Sequence, residues 1–259
     1  LQPISHFSDL KQLLLPGHPL IFLDEVDSTN NYATRLLATQ KVDEGTIVLT
    51  FRQTSGRGNG NNVWKCEDFK NLTFSLILYP RFLPASSQVL LSQVISLGIF
   101  DFLKSKTDGA AIKWPNDLLI DQKKVAGILM ENSVMGDRLF SSVTGIGLNV
   151  NQTSFPDCLP GATSLTLQTG QVYILEDALQ KVLEEIMKWY RLLETGKRET
   201  IEQSYLSHLF GMGKKMKFLK EGQPFEATIT GIDQFGQLLL QSDTGEIRAF
   251  PFKSIEFLL

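Results

Sequence analysis

At 259 residues the chain has room for one large domain and one small one. Its 42% apolar and 20% charged residues match an ordinary globule and exclude a disordered or fibrous chain. With 25 basic against 28 acidic residues the formal charge is −3, so no overall field draws nucleic acid or an anionic membrane to it.

Cys66 and Cys158 stand far apart and outside any metal-ligand spacing, as do His6, His18 and His208. The expectation is reduced thiols in a cytoplasmic protein, without zinc. The residues after Leu1 show no basic and apolar leader with a cleavage site. No run approaches the roughly 18 apolar residues of a membrane span, which points to a soluble, non-secreted protein.

The opening, up to Pro19, is a short lead with a turn at Pro16-Gly17. Residues 21–26 read as a strand. A helix is predicted from Ser28 to about Ala38, since Tyr32, Ala33, Leu36 and Leu37 repeat at three and four. Asp27, Ser28 and Thr29 all suit its N-cap. Strands follow at 46–52 and 72–79, with a Gly- and Asn-rich loop at 54–63 between them. A helix over 86–104 carries Val89, Leu90, Val94, Leu97 and Phe100 on one face. Residues 110–114 read as a short strand, 118–120 and 125–130 as a hairpin around 121–124, and 142–150 as a further strand. A strongly amphipathic helix spans 172–193, and a shorter one 200–210.

After Gly211 the texture changes to short strands at 214–219, 225–232, 238–241, 247–250 and 255–258, the pattern of a small antiparallel β-barrel. Residues 211–259 hold six basic and six acidic side chains, which leaves no basic stripe for nucleic acid.

Two polar constellations stand out. Gly56-Arg57-Gly58-Asn59-Gly60-Asn61-Asn62-Val63-Trp64 follows a strand, and its alternate glycines allow backbone N–H groups to converge on an anion. It lacks the Gly-Lys-Ser/Thr of a Walker loop and opens no apolar helix. Arg57 adds a guanidinium fork suited to carboxylate or phosphate, and Trp64 suits an apolar or aromatic ligand. Alone, the loop equally fits a flexible surface turn. The second constellation is Lys113-Trp114-Pro115-Asn116-Asp117, with Lys124 at the entry to Lys124-Val125-Ala126-Gly127-Ile128-Leu129-Met130-Glu131. Asp117 suits Mg²⁺, directly or through water, and Asn116 suits a purine edge. In isolation this segment also reads as a surface Asn-Asp turn. Gly145-Ile146-Gly147-Leu148-Asn149 would let a flat ligand lie against bare backbone.

Together with Asp27-Ser28-Thr29-Asn30 and Gln53, these segments resemble the biotin–protein ligase family in order and spacing over about residues 20–150. The resemblance implies an α/β (α+β type) catalytic domain over 1–210, with a mixed, mostly antiparallel sheet related to class II aminoacyl-tRNA synthetase cores. An SH3-like domain would occupy 211–259. It also implies that ATP and Mg²⁺ convert biotin to biotinyl-adenylate, and that biotin then passes to a lysine of a biotin carboxyl carrier protein. By the same resemblance Ser28, Thr29 and Gln53 contact the ureido ring, with Asn30 beside them. The loop from Gly56 and Gly58 to Asn59 and Asn61 folds over biotin and phosphate. Trp64, Asn116 and Asn149 face the nucleotide, and Gly127, Gly145 and Gly147 line the biotin pocket. Lys124 contacts the carboxylate and α-phosphate, with Arg57 and Lys113 assisting.

Asn59 stands where some members carry arginine, which puts retention of the adenylate in question. Only about 20 residues precede the core, so the expectation is a short form without the DNA-binding domain of the repressor members. A homodimer stays open. The competing readings are a lipoate ligase or octanoyltransferase of shared ancestry, and a biotin-sensing binding protein.

Overall fold

The computed structural model describes residues 18–60 and 62–258; the expected Pro16-Gly17 turn lies outside them. The first part of the chain runs β1 (Leu20–Leu23), α1 (Thr29–Thr39), β2 (Ile47–Thr50), β3 (Leu72–Leu78) and α2 (Val89–Lys104). It continues through β4 (Ala110–Lys113), β5 (Asp117–Ile120), β6 (Lys123–Met135) and β7 (Arg138–Leu148). Helices α3 (Leu165–Thr169), α4 (Leu175–Glu194) and α5 (Arg198–Ser207) follow. The chain ends in β8 (Lys215–Lys220), β9 (Gln223–Ile232), β10 (Leu238–Gln241), β11 (Ile247–Phe250) and β12 (Glu256–Phe257).

Seven strands form one sheet in the order β1-β2-β3-β7-β6-β5-β4. Only β1 and β2 pair in parallel, joined by the crossover helix α1; the other pairs are antiparallel. This is the mixed, mostly antiparallel α/β sheet expected from the sequence. The last five strands form a separate antiparallel sheet, β11-β10-β9-β8-β12.

The alternation along β3 shows how the sheet divides its two faces. Leu72, Phe74, Leu76 and Leu78 enter the large core with α2 and α4, while Ile77 joins a smaller cluster under α1 with Ala33, Val48 and Val143. Thr73 and Ser75 share the face of Ile77 and are also buried. The core face is largely apolar, broken by the mutually bonded hydroxyls of Ser142 and Thr144, and the other face carries polar groups beside the start of α1. The large core continues without a break into the terminal sheet through Phe218, Ile229 and Leu238.

Several elements run beyond the sequence reading. The helix predicted over 86–104 begins as a 3-10 turn, Ala85–Ser87, before α2. Strands β6 and β7 extend to a tight turn at Gly136, whose φ is +64°. Asp121 and Gln122 both take positive φ, 47° and 65°, the geometry of a two-residue hairpin turn between β5 and β6. Helix α3 was not visible in the sequence because it is only five residues long, and its cap is the Ser164 hydroxyl accepting from Leu167 N at 3.2 Å.

The segment Ala85–Lys104 has, over its 20 residues, the length and apolarity of a membrane span, which the sequence reading did not anticipate. Its side chains fill the core between the sheet and α4. Gly98 makes that packing close: a Cβ there would lie 2.5 Å from Ile186 Cα. Gly98→Ala should therefore force the helices apart and cost about 1–3 kcal/mol of unfolding free energy, measured by urea denaturation. An unchanged midpoint would contradict this packing.

Candidate functional site

The polar face of the sheet opens into a cleft of about 530 Å³, bounded by the start of α1, the Gly-rich loop, β5–β7 and the turn before β12. Its floor is bare backbone. Gly127 and Gly147 face each other across β6 and β7, and Gly145 lies two residues on. The Trp64 indole covers this floor. A Cβ on Gly147 would run into Trp64 Cε2, and one on Gly127 would lie 3.2 Å from Cζ3. Trp64 Nε1 is buried without a hydrogen-bond partner. The loop holds the indole there through a short hairpin: Trp64 N donates to Gly56 O at 2.9 Å and Gly58 N to Asn62 O at 2.8 Å.

Lys124 reaches the same face through a bulge. Leu118 pairs with Ala126 but Leu119 pairs with Lys124, leaving Val125 as the extra residue. Val125 and Ala126 both enter the core, so Lys124 and Gly127 come to share the cleft side despite their spacing of three. Lys124 Nζ lies 2.6 Å from Asp117 Oδ1 and 5.8 Å from the Trp64 ring centre. Lys113 lines the cleft beside them, with Nζ 5.3 Å from the Phe257 ring centre. Burial lowers its pKa from the ordinary lysine value; Asp117 pulls it partly back up, and Lys124 adds a smaller push downward.

At the other end of the cleft, Ser28, Thr29, Asn30 and Gln53 form a polar pocket. Gln53 Oε1 accepts from Thr29 N at 2.9 Å and from its hydroxyl at 3.3 Å. Ser75 Oγ lies 2.8 Å from Thr29 Oγ1 and 2.6 Å from Asn30 Oδ1. Asn30 Nδ2 donates to Leu129 O at 3.1 Å and Glu131 Oε2 at 2.9 Å. A Cβ on Gly145 would collide with Asn30 Oδ1, so that glycine makes room for the amide. Glu131 is held in turn by Arg57, at 2.8 and 3.2 Å, and Arg57 also donates to Asn31 Oδ1 at 2.8 Å. Ser28 is buried, and its hydroxyl makes no capping hydrogen bond. Gln53 Nε2 meets no acceptor among the described residues.

The cleft thus gathers most of the residues singled out in the sequence: Asn59, Asn116 and Asp117 line it with those above. Asn116 Nδ2 donates to Ile128 O at 2.6 Å, which fixes the amide at the cleft wall. Gly56 and Asn149 are not part of the lining. Gly56 shapes the loop hairpin. Asn149 donates from Nδ2 to Thr163 O at 2.9 Å, and its buried Oδ1 has no partner. Asn61 lies outside the described residues.

Three contributions to the cleft carry no local signal in the sequence. Thr73 and Ser75 are ordinary strand residues until pairing places them under the pocket. Glu131 becomes significant only through its contacts with Asn30 and Arg57. The turn and strand carrying Phe252, Lys253, Ile255, Glu256 and Phe257 come from the terminal sheet, and no local pattern ties them to a loop some 200 positions earlier.

The chain matches the biotin/lipoate A/B protein ligase family over residues 22–149 and the biotin protein ligase C-terminal domain over residues 212–258. It is 37% identical to a bifunctional ligase/repressor of Bacillus spizizenii, covering 88% of this chain and 71% of that one. It is 31% identical to a biotin–[acetyl-CoA-carboxylase] ligase of Paracoccus denitrificans, covering 86% and 94%. The fold is similar to that of the biotin protein ligase of Aquifex aeolicus solved in complex with biotin and ATP, with a TM-score of 0.76, 29% identity, and coverage of 92% and 97%. The chain belongs to the biotin/lipoate A/B protein ligase family, on its biotin–protein ligase side.

The floor is directly testable. Gly147→Ala should displace Trp64 and red-shift tryptophan emission, and the shift should vanish in a Trp64→Phe background. Identical spectra for Gly147→Ala and the wild type would show that the indole does not rest there.

Proposed function

We propose that the cleft activates biotin with ATP as biotinyl-5′-adenylate and then passes the biotinyl group to a lysine of a biotin carboxyl carrier domain. The division proposed is a catalytic domain over 1–210 and an SH3-like domain over 211–259. The observation that carries the reading is the placement of Lys124 at the far end of the glycine floor from the polar pocket. The Ser28 hydroxyl and Gln53 amide suit a ureido ring, the Trp64 indole laid over the glycine floor offers a flat apolar face, and Lys124 and Lys113 stand where the acid end would meet phosphate.

Adenylation brings a carboxylate against an already anionic phosphorus. The carboxylate oxygen attacks the α-phosphorus, the bond to the bridging oxygen breaks, and pyrophosphate leaves. Lysine is cationic at neutral pH, so Lys124 serves electrostatically, drawing the two anions together and stabilising charge on the α-phosphoryl oxygens. Asp117 fixes the ammonium in place. Arg57 is held by Glu131 and Asn31 at the pocket side, where it ties the Gly-rich loop down over the ring-binding end. In the second step the carrier lysine, after losing its proton, attacks the mixed anhydride and AMP leaves.

Among the described residues no three metal-ligating side chains cluster. Mg²⁺ keeps water and phosphate ligands and needs one or two carboxylates. Asp117 and Glu256, both in the lining, fit that need. The ion would neutralise charge on the pyrophosphate leaving group.

The decisive assay supplies ATP, Mg²⁺, a carrier domain and either labelled biotin or labelled lipoate. Biotin transfer is expected; lipoyl transfer without biotin transfer would overturn the reading. Lys124→Ala should slow biotin-dependent pyrophosphate exchange by about 100-fold or more while keeping the wild-type unfolding midpoint, and unchanged exchange would remove its role. Lys113 titrates below an ordinary lysine, so its cation is lost earlier than an ordinary lysine's as pH rises. The alkaline limb of kcat/KM should therefore fall below about pH 10.4 and move upward in Lys113→Arg. A limb unmoved by that change would assign it to another group.

A further inference from the structure

Lys253 belongs to the terminal sheet, yet it lines the cleft of the first. It sits in the turn 251–254 between β11 and β12, closed by Ser254, whose N and Oγ donate to Pro251 O at 3.1 and 2.7 Å. The turn is anchored to the catalytic sheet by Phe252, which meets Trp114 edge-on at 6.3 Å. Trp114 Nε1 in turn donates to Gly236 O at 2.8 Å. Lys253 itself takes a φ of +66°, a left-handed backbone that a side chain adopts at a cost. Its ammonium is thereby brought against the Gly-rich loop, where a Cβ on Gly60 would run into Nζ.

The charges of the cleft make this placement informative. Arg57 is paired with Glu131 and Lys124 with Asp117, and Lys113 lies half-buried beside Phe257. Lys253 has no carboxylate partner among the described residues. Arg57 is the one basic residue in the loop from Thr54 to Trp64, and it is turned toward Glu131. The loop's glycines therefore offer backbone N–H groups to an anion, and the cation to accompany them comes from the other sheet. A compact ammonium on a flexible stem suits phosphate oxygens as a point charge.

We propose that Lys253 is a nucleotide-binding residue: its ammonium takes the polyphosphate of ATP against the Gly-rich loop, so that loop and terminal sheet close as one phosphate clamp. This rests on the reading of ATP as the nucleotide substrate. It gives Asn59 a context, because a phosphate contact absent from the loop is supplied across the domain boundary.

The test is calorimetric titration of ATP and of AMP into the wild type, Lys253→Ala and Lys253→Arg, each checked by its melting temperature. ATP affinity should fall about tenfold in Lys253→Ala, the effect of losing one charge-assisted hydrogen bond. AMP affinity should stay within about twofold, and Lys253→Arg should restore most of the loss. Unchanged ATP affinity would overturn the proposal. So would an equal fall for ATP and AMP, which would assign Lys253 to holding the two sheets together. The ligase reading is tested separately by biotin-dependent pyrophosphate exchange in the wild type: its absence would count against that reading, while an ATP-selective loss in Lys253→Ala would still uphold the phosphate contact.

Discussion

Glycine in the middle of a strand weakens a sheet by roughly 0.5–1 kcal/mol relative to alanine, and here two face each other on the central pair β6 and β7. The arrangement persists because the space is used. Gly127 and Gly147 leave a flat floor on which the Trp64 indole can lie, and Gly145 leaves room for the Asn30 amide. Any side chain at these positions would fill the cleft from below. The loop hairpin, the polar pocket and the bulge that turns Lys124 inward are all arranged around that floor.

The electrostatics follow a similar logic. The cleft brings Arg57, Lys113, Lys124 and Lys253 toward one space, which would be unfavourable without compensation. Glu131 and Asp117 compensate two of them at hydrogen-bonding distance, while burial weakens the proton affinity of Lys113. An anionic substrate therefore enters a site whose cations are already oriented and needs little reorganisation around it. The apolar face of the sheet supplies rigidity, with α2 and α4 packed closely enough that Gly98 has no room for a methyl group.

Much of this was legible in the sequence because it is local. Alternation in 72–79, helical spacing in 172–193 and turn residues after Gly211 each report their own element. The motifs at 27–30, 56–64, 113–117, 124–131 and 145–149 carry the family resemblance. What stayed hidden depends on pairing across long separations. The one-residue bulge at Val125 changes which face Lys124 occupies, and no spacing rule on β6 alone shows it. Ser75 and Thr73 gain meaning only beside α1 and the glycine floor. The turn at 251–254 reaches Gly60 only because the terminal sheet shares its core with the catalytic one. The helix over 86–104 was legible as an element, but its burial on nearly every side belongs to the fold.

A crystal structure of the chain with a non-hydrolysable biotinyl-adenylate analogue tests the central claim most directly. The ureido ring is expected at Ser28 and Gln53, the fused rings against the Trp64 indole, and the acyl–phosphate junction within hydrogen-bonding distance of Lys124 Nζ. An analogue bound elsewhere, or bound in the cleft with Lys124 still paired to Asp117 alone, would contradict it.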